Sequence, residues 1–215
     1  ETDEILTYYK LLGVKTLSAD NVYINGGRNK FMDSYLDSMI SDTKVGTGLP
    51  PCTAVEKSED TDLNGKSLVT SRLRDTDVET LSIKDNKNGT VTLTIKPKSV
   101  QMSSPGADAQ GRFFSTLGPM YDTFDQMLKQ NGGKWTTGNA KKNLHMNYTG
   151  GTGTITINTS SCKITKATYT MRVNVDVQHV TVSSMKDQRV QLRITTKDTF
   201  PMSKELFDSS NLERL

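Results

Sequence analysis

From Ala167 to His179 apolar and polar residues alternate without interruption. Ala167, Tyr169, Met171, Val173, Val175 and Val177 fall on one side of an extended chain, and Thr168, Thr170, Arg172, Asn174, Asp176 and Gln178 on the other. A period of two marks a strand with one buried and one wet face. At about 3.3 Å per residue this run spans roughly 43 Å, more than twice an ordinary strand. A strand so long must twist, and a sheet built on it must curve. Every other segment has to be fitted to that sheet.

Composition limits how much core the sheet can have. Hydrophobic residues make up 33% of the 215, below the usual range of about 45–50% even with glycine added, so the expectation is a thin core and a large wet surface. Basic and acidic residues nearly cancel, at 27 and 24. The only basic doublet outside the predicted helices is Lys141-Lys142, which is no nucleic-acid footprint. No stretch is long and apolar enough for a transmembrane helix or signal peptide. With Glu1 first and many Ser and Thr on the polar sides of strands, the chain reads as exported with its signal removed, extracellular or at the cell surface. A cytosolic protein cut at a domain boundary is the alternative. Cys52 and Cys162, if joined, would close a loop of about 110 residues and contribute about 4–5 kcal/mol on the chain-entropy description. Two separate buried thiols are the other reading.

Along the chain, Ile5, Leu6, Tyr9 and Leu12 repeat at helical spacing before Gly13. Val22 and Ile24 form a brief apolar patch ending in the turn Asn25-Gly26-Gly27. A second helix is predicted over 29–41, with Met32, Tyr35, Leu36, Met39 and Ile40 inward and Asp33, Asp37 and Ser38 outward. Residues 45–66 lose periodicity and read as a long loop. Leu81 and Ile83, the turn at 85–89, and Val91, Leu93 and Ile95 make a hairpin with Thr90, Thr92 and Thr94 outside. Helical spacing returns over 106–131, where Phe113, Phe114, Leu117, Met120, Tyr121, Phe124, Met127 and Leu128 form one stripe that Gly118-Pro119 should divide. Strands follow over 144–148 and 153–158, from Cys162 into the long run, and at Val190, Leu192 and Ile194 after a turn over 183–188. The tail 201–215 has a short helical look. These elements predict one α+β domain: a strongly curved antiparallel sheet of six to eight strands, an open or half barrel, with helices packed on its concave face.

Few residues are arranged for chemistry. Asp60-Thr61-Asp62-Leu63-Asn64-Gly65 opens like a calcium loop, with Asp60, Asp62 and Asn64 as candidate metal ligands, but the twelfth position holds Ser71 where a bidentate carboxylate is needed. A solvated acidic loop is the simpler reading. His145 and His179 lie in no ligand or catalytic motif, and H-E-x-x-H, G-x-S-x-G, a P-loop and G-x-G-x-x-G are all missing, so no cofactor is expected. Gly150-Gly151 reads as a turn, because no helix follows to present amides to a phosphate. Asp122 and Asp125 share a helix face and would serve a hydrolase only in a cleft that separates their environments. Trp135, the single tryptophan, sits on a glycine-rich loop where it can stack on a sugar or a partner or fold back over the core, and the second is preferred.

The amphipathic N-terminal helices, the strand Gly89-Thr90-Val91-Thr92-Leu93-Thr94-Ile95, the Pro105 loop leading to an aromatic helix, and Cys162-Lys163-Ile164 through Tyr169-Thr170-Met171 resemble a group of uncharacterised exported or surface-anchored proteins of Gram-positive bacteria. In outline the chain is also similar to open-barrel lipoprotein-carrier folds. The first group has no established activity, so the resemblance implies no function and no functional residues; the first reading of the chain itself is a non-catalytic binding or interaction module of an exported cell-surface protein, whose partner is a cell-envelope component, a glycan or a protein. The second resemblance implies a carrier holding a lipid or other hydrophobic ligand between sheet and helix, with Phe113, Phe114, Leu117, Tyr121, Phe124 and Trp135 as candidate ligand-binding residues. A cryptic hydrolase is the third possibility.

Overall fold

The structure is a computed structural model, and it describes residues 13–40, 42–45, 73–114, 116–162 and 164–201. The predicted first helix, the loop 46–66 with Cys52, Asp60, Asp62 and Asn64, and the tail beyond Pro201 lie outside these residues. In chain order the described elements begin with β1 (Val14–Ile24), β2 (Gly27–Arg28), α1 (Lys30–Ile40) and β3 (Asp42–Val45). A 3-10 turn at Asp75–Asp77 leads to β4 (Val78–Asp85), β5 (Thr90–Pro97) and β6 (Val100–Gln101). Next come α2 (Ala109–Phe113), α3 (Tyr121–Gln130), β7 (Gly133–Trp135) and α4 (Ala140–Asn143). The chain then closes the sheet with β8 (Leu144–Tyr148), β9 (Thr152–Asn158), β10 (Ile164–Val182) and β11 (Met185–Phe200).

The protein is α+β, with a large curved antiparallel sheet that is not closed into a barrel. Among the described residues the sheet has eleven strands, in the main order β2-β1-β11-β10-β9-β5-β4. The long alternating run is its spine. β10 has 19 residues, and one of its edges pairs with β11 from Ala167↔Phe200 to Val182↔Met185. Three short strands in succession tile its other edge: β9 against Ile164–Thr170, β8 against Val173–Val177 and β7 against Val180–Val182. His179 is not the end of the strand. It sits at a left-handed φ of 55° in a bulge between Val177 and Val180 that returns Val180 to the buried face and adds local twist.

The core lies on the odd face of β10. Ala167, Tyr169, Met171, Val173, Val175 and Val177 are buried with Met146 and Tyr148 of β8 and Ile155 of β9. Phe113 of α2 and Phe114, the extended residue that follows it, complete it, packing edge-on at 4.8 Å between centroids, with Phe113 5.4 Å from the Tyr169 ring. A Cβ on Gly153 would come within 2.3 Å of the Phe113 ring, so this glycine is there to admit the aromatic side chain.

Several expectations change. Residues 14–24 are a full strand pairing with β11 from Val14↔Thr199 to Ile24↔Val190, because partners some 170 positions away supply its order and local pattern does not. The helical region 106–131 is two helices divided at Gly118-Pro119, and its stripe is broken: α3 buries no residue, and Leu117 and Met127 are about half exposed. Cys162, at φ 54°, follows the turn over 159–161 and precedes β10 rather than lying in the strand. On α1 the expected faces hold only in part: Met32 and Leu36 are half-buried and Ser38 is exposed, but Asp33 and Asp37 are half-buried too and Tyr35 is exposed. The carboxylates of Asp33 and Asp37, one turn apart, accept from the backbone N–H of Val22 (2.6 Å) and Ala19 (3.0 Å), while Phe31 and Tyr35 stack on each other in the open. The reason is the edge of β1. β3 covers Val14–Leu17 and β2 covers Tyr23–Ile24, leaving between them donors that would otherwise lack acceptors.

Candidate functional site

The even face of β10 points away from the core, and register places its polar residues beside those of β11 and β1. Two adjacent rows result: Tyr23–Gln191–Asp176 and Asp20–Arg193–Asn174. A bulge at Asn21, φ 56°, lies between Asp20 and Tyr23 on β1, and the Asn25-Gly26 turn, with both φ positive, reverses the chain into β2. Together they bound an open cleft of about 540 Å³ lined by Asn21, Tyr23, Asn174, Asp176, Gln191 and Arg193. Val175 and Leu192 alternate to the other face, so only their backbone forms the floor.

The charged groups here are locked in pairs. Arg193 grips Asp20 through Nε (2.8 Å) and a terminal nitrogen (2.6 Å), and the Asp20 carboxylate raises the Arg193 pKa further. Arg189 holds Asp176 in the same fork, at 2.9 and 2.7 Å. Burial pushes the Asp176 carboxyl up, but the hydrogen bonds from Arg189 and Gln178 outweigh it and leave the carboxyl below its ordinary value. Both carboxylates are therefore fixed in place, each by an arginine fork. Arg28 lies over the Tyr23 ring at 5.4 Å and donates to Asn21 Oδ1 at 2.5 Å, which sets the orientation of the tyrosine. The amides of Asn174 and Gln191, by contrast, make no side-chain hydrogen bond among the described residues. The cleft thus offers two neighbouring amides, an aromatic ring and compensated charges.

The residues singled out from sequence do not meet in this cleft. Phe113 and Phe114 are buried core, Tyr121 and Phe124 pack half-buried against it, and Leu117 is exposed. Trp135 folds back. Its indole N–H donates to Asp125 Oδ1 at 2.7 Å, and its ring stacks on Phe124 at 5.8 Å. That bond also engages Asp125, one of the two carboxylates weighed for a hydrolase. His179 Nδ1 and Asp187 Oδ1 are 2.8 Å apart at the exposed bulge. Asp60, Asp62 and Asn64 lie outside the described residues, as does Cys52, while Cys162 is exposed with its sulfur 3.9 Å from the Thr159 carbonyl oxygen. The cleft residues were visible only as outward positions of separate strands, since nothing local reports which strands become neighbours.

A second polar group is structural. Asp77, just before β4, takes both nitrogens of the Arg112 fork from α2 at 2.7 and 2.5 Å, and both side chains are buried. The Arg112 guanidinium holds the Asp77 carboxyl below its usual range. Arg112 also donates to the Ala107 carbonyl oxygen, and Asp108 caps α2 by accepting from Gly111 N while binding Ser103 Oγ and Ser104 N. A Cβ on Gly111 would lie 1.8 Å from the Ser104 oxygen, so only glycine permits this turn.

The chain matches no family model, no curated protein and no solved structure. No helix among the described residues is long and apolar enough to cross a membrane.

Proposed function

We propose that the protein is a non-catalytic binding module of an exported cell-surface protein, built as one domain, and that its ligand is a segment of neutral glycan lying in the cleft on the outer face of β1, β11 and β10. The observation that carries this reading is a pair of amides unengaged among the described residues: Gln191, beside the exposed Tyr23 ring in one row, and Asn174, beside the fixed Arg193 guanidinium in the next. Planar amides and carboxylates match adjacent sugar hydroxyls in both donor and acceptor roles. A tyrosine ring offers an apolar face for the C–H side of a pyranose. In this reading α2 and α3 close the concave inner face, and the filled packing of Phe113, Phe114 and Tyr169 favours a binding surface over a carrier with an internal cavity.

Calorimetric titration with a panel of neutral oligosaccharides tests the proposal. At least one should bind, and replacing both Asn174 and Gln191 by Ala should weaken it by about 10-fold or more. Equal affinity of the double variant, or no binding across the panel, overturns it.

A further inference from the structure

The outer face carries a second field beyond the cleft, on the strands running from β11 to β4. Register aligns Thr199, Thr168, Thr154, Thr94 and Ser82 into one row across five strands, about 19 Å long at 4.8 Å per strand. On one side of it lies the row Lys166–Thr156–Thr92–Lys84, with a cation at each end. On the other side lie Lys197, Thr170 and Thr152. Arg172 follows on β10. The hydroxyls form a lattice spaced at about 4.8 Å across the strands and 6.7 Å along them. Threonine is branched at Cβ and stiff in a strand, so these hydroxyls are positioned before any ligand arrives.

Charge on this field is one-sided. Lys84, Lys166, Lys197 and Arg172 are exposed and have no carboxylate partner among the described residues, whereas Lys96 is neutralised by Glu79 at 2.8 Å. The cleft end of the same face behaves oppositely, since Arg189 and Arg193 are each held by an aspartate. No aromatic residue stands in these rows, so the field lacks the stacking platform on which single-stranded nucleic acid is held.

From this juxtaposition of an in-register hydroxyl lattice and uncompensated cations, we infer that the outer face of β4, β5, β9, β10 and β11 is a binding surface for an anionic polysaccharide. The cations meet its carboxylate or sulfate groups and the threonines meet its hydroxyls. The surface is separate from the cleft and does not depend on its reading.

The test uses the full chain on immobilised polygalacturonate, with its neutral methyl ester and a single-stranded DNA oligomer as comparisons. Wild type should bind polygalacturonate and bind both comparisons at least 10-fold more weakly. Replacing Lys84, Lys166 and Lys197 together by Gln should reduce binding at least 10-fold and flatten its salt dependence. Replacing Thr94, Thr154 and Thr168 by Val keeps side-chain volume and charge and should also weaken binding, with the circular dichroism spectrum unchanged. Tyr23→Ala should leave polygalacturonate binding unchanged, which separates failure of the cleft from failure of this surface. No binding by wild type at low salt overturns the inference. So does an unaffected lysine variant, or binding to the DNA as tight as to polygalacturonate.

Discussion

At the β1 edge of the sheet, the backbone donors left open between β2 and β3 are met by the carboxylates of Asp33 and Asp37 on α1. At the β4 edge, the strand after its anchored start is exposed on both faces, with Leu81 and Ile83 more than half exposed, and among the described residues β5 is its only strand partner. One edge is finished along its middle by two separate carboxylate–amide bonds. The other is fastened at one point, where Asp77 meets Arg112. The difference shows that a sheet of this size can be stabilised either by covering an edge or by pinning its first residue and letting the remainder ride on its neighbour.

Breaking the pin should have the largest effect. Asp77→Ala leaves the Arg112 guanidinium buried without its partner, and the expected loss is about 3–5 kcal/mol in urea denaturation. The same pair sets a pH dependence. The folded-state pKa of Asp77 lies below its unfolded value, so its contribution is complete above the unfolded carboxyl pKa of about 3.9. That contribution is lost as pH falls through the lower folded-state value. Acidification over that window should therefore destabilise wild type more than the variant. Next come the covered-edge residues. Asp33→Ala or Asp37→Ala leaves a part-buried amide of β1 unpaired, for an expected cost of about 1–3 kcal/mol each. Faster hydrogen exchange at Val22 or Ala19 should accompany it, and Asn at either position should recover part of the loss. The smallest effect belongs to the open strand. Leu81→Thr or Ile83→Thr should change stability by no more than about 0.5 kcal/mol, and a loss several times that size would mean that β4 is covered in solution.

How far the sequence disclosed this arrangement depended on whether the cause was local. The alternation through Ala167–Val177 announced β10 and its two faces, and the turn at 85–89 announced the β4–β5 hairpin. Gly118-Pro119 divided the helices where a missing donor and a fixed φ required it. Asp33 and Asp37 were misread as solvent-facing because what they satisfy is the backbone of β1, which no side-chain pattern reports. β1 itself passed for a short apolar patch, since its order comes from β11 at the far end of the chain. The candidate site was hidden for the same reason. Tyr23, Gln191 and Asp176 became one row only when register brought three distant segments together, whereas the aromatic residues that stood out in the sequence turned out to fill the core.

Val14 lies opposite Thr199, and Gly13 packs so closely on Phe200 that a Cβ there would fall 2.2 Å from the ring. The described chain therefore enters β1 and leaves β11 side by side at one pole of the sheet. The cleft row at Gln191 is eight residues farther along β11, a distance of about 26 Å. That pole is therefore well separated from the cleft, which lies near the middle of β11. A pull applied at Gly13 and Phe200 would peel β1 from β11 one bond at a time instead of loading their hydrogen bonds together.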